Sequence, residues 1–218
     1  MVSYLGGVDE AGRGCVVGPL VIAGVSVRPS VVRELKDLGV KDSKKLSARQ
    51  RESLYGDILK VCDRVHSTKI TTTEIDRVVR TGKKYFKLNY LEAVYFARVI
   101  DELGAGKVTV DASDVLPKRF QDNICDNLKS KCEVFAAHRA DRDYPLVSAA
   151  SIVAKVERDK EVGRLREKHG DFGSGYPSDP TTRGFFTAMI MGGQPIPDYA
   201  RKSWKTWLRL QESLEAFV

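Results

Sequence analysis

The spacing of apolar residues changes several times along the chain, and each change marks an element. Tyr4 to Val8 is short and extended, and Pro19 to Val27 is a continuous apolar run rich in β-branched residues. A run of that kind fits a strand buried on both faces. Between them lies Asp9-Glu10-Ala11-Gly12-Arg13-Gly14, whose glycines suit a turn. Ser47-Ala48-Arg49-Gln50 is a capping-box pattern, and Leu54, Ile58 and Leu59 follow it at helical spacing. Thr71-Thr72-Thr73-Glu74 is a second capping box. Further strands are predicted at 65–70, 107–110 and 133–137. Helices are predicted over 85–103, ending at Gly104, over 117–129 with Pro117 in the first turn, and over 145–168 opening at Pro145. The pattern then loosens. Gly170 to Pro180 reads as a loop, Asp179-Pro180 as a helix cap and first turn, with helices at 180–191 and 201–214. The pattern predicts an α/β body over residues 1–168 and a helical C-terminal extension over 169–210.

Composition narrows the function classes. The 218 residues carry 36 Lys and Arg against 29 Asp and Glu, a formal charge of +7. Such an excess raises the odds of a polyanionic partner without deciding the matter. The longest uncharged stretch, Gly14 to Val27, is too short to span a bilayer and is broken by Gly18, Pro19 and Gly24. The first ten residues hold no Lys or Arg, and the apolar run comes after Asp9 and Glu10, unlike a signal peptide. The four cysteines show neither a C-x-x-C pair nor zinc spacing, which fits free thiols. The expectation is a cytoplasmic, monomeric protein with no membrane association.

Acids recur at the ends of predicted strands: Asp9-Glu10, Asp111 and Asp141. α/β folds place their sites at strand ends. Carboxylates gathered at one spot repel unless divalent cations neutralise them, and an all-oxygen set suits Mg²⁺ or Mn²⁺. In a basic chain that combination points to two-metal phosphodiester chemistry. The competing reading is that such acids cap helices or form turns. Asp114 fits that task before the 117–129 helix, and Asp143 before Pro145. Spacing alone does not choose Asp111 over Asp114 or Asp141 over Asp143. Adjacent strand residues point to opposite faces, so Asp9 and Glu10 share a site only if the backbone bends there.

The motifs themselves resemble one family. Gly7-Val8-Asp9-Glu10-Ala11-Gly12-Arg13-Gly14 with Gly18-Pro19-Leu20-Val21 resembles the opening of ribonuclease HII, in its archaeal form. Lys41-Asp42-Ser43-Lys44-Lys45-Leu46-Ser47, Val110-Asp111-Ala112 and His138-Arg139-Ala140-Asp141 follow in family order. So do the run from Ser148 to Asp159 and Gly173-Ser174-Gly175-Tyr176-Pro177-Ser178-Asp179-Pro180. The resemblance implies an RNase H-like mixed five-stranded sheet flanked by helices. It implies endonucleolytic cleavage of RNA in RNA–DNA hybrids and at single ribonucleotides embedded in DNA, leaving 3′-hydroxyl and 5′-phosphate ends. Metal-binding and catalytic roles then fall on Asp9, Glu10, Asp111 and Asp141, the last chosen over Asp143 by its motif. Gly12, Arg13 and Gly14 resemble the segment that reads the 2′-hydroxyl, and Tyr176 the tyrosine that packs on the neighbouring deoxyribose. Lys44 and Lys45 become phosphate contacts. Ser148, Ser151, Lys155 and Arg158 recur at three- and four-residue steps on the predicted long helix. By default such a stripe faces solvent; substrate contact is the functional alternative.

Residues 211–218, Gln211-Glu212-Ser213-Leu214-Glu215-Ala216-Phe217-Val218, resemble a PCNA-interacting peptide. Leu214 and Phe217 would enter an apolar pocket and Gln211 would bond beside it, with Val218 replacing the usual second aromatic. Rival readings are a junction-cutting nuclease of similar fold and a DNA-bound clamp adaptor without catalysis.

Overall fold

The computed structural model describes residues 4–40, 46–82 and 87–207. Lys44, Lys45 and the peptide with Gln211, Leu214, Phe217 and Val218 lie outside the described residues. Five strands form one mixed sheet: β1 (Leu5–Ala11), β2 (Leu20–Val27), β3 (Arg64–Ile70), β4 (Lys107–Asp111) and β5 (Glu133–Ala137). Their order is β3-β2-β1-β4-β5. β1 pairs antiparallel with β2 and β2 with β3, whereas β1–β4 and β4–β5 are parallel. The sheet is that expected from the resemblance.

Helices cover both faces. The short α1 (Val32–Asp37), α2 (Ala48–Val61) and the 25-residue α7 (Pro145–His169) lie on one face, and their apolar residues pack with Val21, Ala23 and Val25 of β2. On the other face α3 (Thr72–Thr81), α4 (Leu88–Leu103) and α5 (Pro117–Cys125) enclose Val8, Ile22, Val108 and Val110. Both capping boxes form, at Ser47 with Gln50 and at Thr71 with Glu74. α7 passes close over β1. A Cβ on Gly7 would collide with the backbone of Leu146, so glycine is required there for the approach.

After α7 the chain builds a smaller aromatic core. α8 (Pro180–Met191) supplies Phe186, whose ring meets Trp207 edge-on at 4.6 Å, and Phe172 stacks near Tyr199. This core also contains Val16 and Val17 from the segment after β1 and Val162 from α7, so the C-terminal extension rests directly beside the motif-bearing loops.

Several expectations need correction. β1 runs through Asp9 and Glu10 to Ala11, and β4 includes Asp111 as its last residue rather than ending before it. α5 stops at Cys125, short of the expected end at 129, whereas all four cysteines are free as expected. Of the helix expected over 201–214, only 205–207 is helical among the described residues. Helical turns at 29–37 and α6 (Ala140–Asp143) fell where no periodicity marked them.

Candidate active site

Sheet register brings the first two acids together. Parallel pairing matches Gly7 to Thr109 and ends with Val8 opposite Val110, so Asp9 and Asp111 are the next residues of the two strands just past the paired ladder. Both side chains lie on the α7 face, because Val8 and Val110 point into the core on the α4 side. Asp141 arrives from α6. The lead-in is sharp: Arg139 has φ 57, the one non-glycine residue at positive φ among those described. The Ala140 N–H donates to Asp111 Oδ1 at 3.3 Å, tying α6 to the strand end. Carboxylate oxygens of Asp9, Asp111 and Asp141 lie within 4.8 Å of one another.

Glu10 is not part of this trio. β1 pairs regularly through Ala11, so the bend that would carry Glu10 to Asp9's face is absent. Its Oε2 is buried without a hydrogen-bond partner. Burial first, then the charges of Asp9, Glu92 and Asp111, push the Glu10 carboxyl well above the usual range. Asp9 rises to about 7, chiefly by burial and next by Asp111. Ser151 and the Glu10 N–H, which donates to Asp9 Oδ1 at 2.8 Å, pull the other way, as does Lys155. A buried set of hard oxygens whose ionised forms repel, with an orphaned carboxylate oxygen beside it, fits divalent cations.

The polar stripe of α7 turns inward, contrary to the solvent-facing default. Ser148, Ser151 and Arg158 are buried. The Ser148 hydroxyl donates to the Asp141 carbonyl oxygen, and Lys155 Nζ donates to Ser151 Oγ at 2.9 Å. Arg158 donates to the Ser174 carbonyl oxygen at 3.0 Å and lies 5.1 Å from the centre of the exposed Tyr176 ring. The close approach of α7 at Gly7 explains the inversion for Ser148 and Ser151, since it presses the first half of the helix onto the sheet, and the loop at Ser174 covers Arg158.

Gly12 has φ +92, and a Cβ there would lie 2.6 Å from Arg158 Cδ, so both conformation and space require glycine. Arg13 reaches back to α4. Its Nε lies 2.8 and 3.0 Å from the two oxygens of Glu92, and Nη2 bonds Asn89. Glu92 is fully buried, and burial lifts it to about 7 against the pull of Arg13. Gly14 is exposed, with open space where a Cβ would stand. The sequence reading missed Glu92. Its signal was a lone acid four residues from Leu88 and four from Phe96, on the apolar stripe of a helix. It also missed Arg201, whose buried guanidinium contacts this loop and for which spacing offered no signal.

A mixed five-stranded sheet with three acids converging at the ends of its interior strands β1 and β4 has the architecture and the candidate metal site of the RNase H-like class. Comparison with known proteins narrows the class. The family model described as Ribonuclease HII matches residues 6–207. Ribonuclease HII of Cenarchaeum symbiosum is 48% identical over 199 residues, covering 91% of this chain and 94% of that protein. The crystal structure of ribonuclease H2 from Pyrococcus horikoshii superposes with a TM-score of 0.87 at 40% identity, covering 97% of this chain and 99% of that one. The ribonuclease HII of a PCNA complex from Archaeoglobus fulgidus gives 0.85 at 43% identity, over 95% and 96% of the two chains. The chain belongs to the ribonuclease HII family. It is a metal-dependent hydrolase of the ribonuclease H class, an endoribonuclease acting on RNA–DNA hybrids. No helix among the described residues is long and apolar enough to cross a membrane.

Proposed function

We propose that the protein cuts at single ribonucleotides embedded in duplex DNA as well as in hybrids, leaving 3′-hydroxyl and 5′-phosphate ends, in ribonucleotide removal and primer processing. The convergence of Asp9, Asp111 and Asp141 within 4.8 Å carries the reading. Asp9, Glu10, Asp111 and Asp141 would hold two divalent ions, Mg²⁺ or Mn²⁺, which would supply activation of water and stabilisation of the leaving oxygen of a phosphodiester. Glu10 joins from the opposite face of the strand end, and its orphaned Oε2 is the supporting observation.

The chain's own groups do the rest. Ser151 and Lys155 favour the ionised form of Asp9 from the α7 side, against its burial and the charge of Asp111. Ser148 fixes the backbone at Asp141. Gly12, Arg13 and Gly14 read the 2′-hydroxyl through backbone that a sugar can approach closely. Tyr176 stacks on the adjacent deoxyribose, backed by Arg158. Lys44 and Lys45 hold phosphates, within the general excess of positive charge. On this reading residues 1–168 form the catalytic body, 169–210 add substrate contacts, and 211–218 bind a sliding clamp. The family relative solved with PCNA supports the last assignment.

The test is a duplex with one embedded ribonucleotide, with product ends mapped. Metal-replete protein should cut it and leave the all-DNA duplex whole; an intact ribonucleotide duplex beside a cleaved hybrid would confine the activity to hybrids. Removing residues 211–218 should abolish clamp binding and spare cleavage of short duplexes.

A further inference from the structure

Arg201 has no exposed surface and is the largest such side chain among the described residues. A buried cation is costly unless its donors are satisfied. Here the partners are three backbone carbonyl oxygens of the segment after β1. Nη2 donates to Gly12 at 2.7 Å, Nη1 to Arg13 at 2.8 Å and Nε to Gly18 at 3.1 Å. The arginine is itself held in place. Its N–H donates to the Val16 carbonyl oxygen at 2.9 Å, Ala200 bridges Val17, and Trp207 Nε1 donates to the Arg201 carbonyl oxygen at 2.7 Å. From the other side, Val16 and Val17 donate to the Gly175 carbonyl oxygen, next to Tyr176.

The geometry has a directional consequence. In a planar trans peptide the C=O of one residue and the N–H of the next point opposite ways. Drawing the carbonyls of Gly12 and Arg13 toward the buried guanidinium therefore aims the N–H groups of Arg13 and Gly14 away from it. Gly14 is exposed, and nothing stands where its Cβ would be. Two oriented donors beside open space suit a sugar hydroxyl, which accepts as well as donates.

We propose that Arg201, from the C-terminal extension, is the positioning residue that orients the amides of Arg13 and Gly14 and thereby sets the preference for ribose over deoxyribose. The proposal rests on the 2′-hydroxyl role given above to residues 12–14. It gives the extension a part in substrate choice that its distance in sequence conceals.

The experiment is steady-state cleavage of a duplex with one embedded ribonucleotide, with the all-deoxy duplex as competing inhibitor. Arg201→Lys keeps the charge but cannot reach three carbonyls at once. It should lower kcat/KM on the ribonucleotide duplex about tenfold or more while the inhibition constant of the all-deoxy duplex stays unchanged. Arg201→Met should be worse still. Asp76→Asn is the control. Asp76 accepts from the backbone N–H groups of Lys202 and Ser203, both at 2.9 Å, and from Ser203 Oγ. It anchors the same segment without touching the carbonyls, so the variant should lose melting temperature and keep the ribose preference. The proposal is overturned if Arg201→Lys keeps the preference, if Asp76→Asn loses it equally, or if Arg201→Lys does not fold, which would make Arg201 a general folding determinant. Failure of the unaltered protein to prefer the ribonucleotide duplex would instead remove the underlying role of residues 12–14.

Discussion

Asp9 and Asp114 are the same residue and equally shielded from solvent, 5% and 3% exposed, but Asp9 lies much deeper in the protein and the fold treats the two oppositely. Each accepts a backbone N–H, from Glu10 and from Leu116. Asp114 also receives Arg119 and Asn89, and despite the opposing effect of burial these hydrogen bonds hold it down at about 2. Asp9 stands instead with Asp111 and Asp141, and burial with Asp111's charge lifts it to about 7. The molecule can neutralise a buried carboxylate from its own side chains where architecture alone is at stake. At Asp9 it gathers more acids than the nearby Lys155 offsets, an arrangement that positive charge from outside would neutralise.

Asp111→Asn should break the contrast most sharply. It removes a repelling charge and a proposed metal ligand together. Cleavage should fall by more than about 100-fold, a larger loss than a supporting residue of a metal site gives, while the metal-free melting temperature rises. A melting temperature that falls would show that the acids are not in conflict in the metal-free protein.

The next largest effect is in pH. A carboxyl raised in the folded state binds its proton more tightly there than when unfolded. Its contribution to stability is present below the unfolded pKa near 4 and is lost as pH rises through about 7. Melts of metal-free protein should therefore weaken between pH 4 and 7, by about 2–4 kcal/mol from Asp9. Millimolar Mn²⁺ should flatten the slope. Asp114 has the opposite sign: its stabilisation holds above the unfolded pKa and is lost only as pH falls toward about 2. A metal-free slope of the opposite sign over pH 4 to 7 would contradict the electrostatics of the trio.

How far the sequence carried this contrast follows from what each signal records. The five strands and the capping boxes were legible because alternation, β-branched runs and Ser/Thr-x-x-Glu/Gln patterns are local. Asp114 was legible as a cap-like acid for the same reason, and its side chain does bond the Leu116 N–H. The convergence of Asp9 with Asp111 was not, because it depends on a register between strands about a hundred residues apart. The motif resemblance supplied those acids where physics left Asp111 and Asp114 level. The α7 stripe was misjudged because periodicity reports which residues share a face and not what that face meets. Arg201 was illegible because its partners are carbonyl oxygens, which every residue carries.

Asp114→Ala tests the other half of the comparison. Arg119 remains partly exposed and rehydrates, so the cost should be about 1–3 kcal/mol, mostly the lost hydrogen bonds. In a chain of this size that lowers the melting temperature by a few degrees per kcal/mol, at about 2–4 °C each. Turnover on a hybrid should stay within about twofold, as expected for a residue outside the reacting centre. A loss of cleavage as deep as that of Asp111→Asn would mean that the two acids do not divide between architecture and chemistry.

The smallest expected effect separates two acids one turn cannot tell apart by spacing. Asp141 and Asp143 both lie in α6, yet Asp141 is buried and meets Asp9 and Asp111 whereas Asp143 is exposed. The expected cap before Pro145 does not form, since no side chain caps α7 and its N-cap residue is Tyr144. Asp143→Asn should therefore change stability by less than about 0.5 kcal/mol and leave cleavage intact, while Asp141→Asn should follow Asp111→Asn. Parallel rate and melt measurements on the two variants decide it. Equal losses would mean that α6 presents both acids to the site, and that the left-handed turn at Arg139 does not fix which of them faces the strand ends.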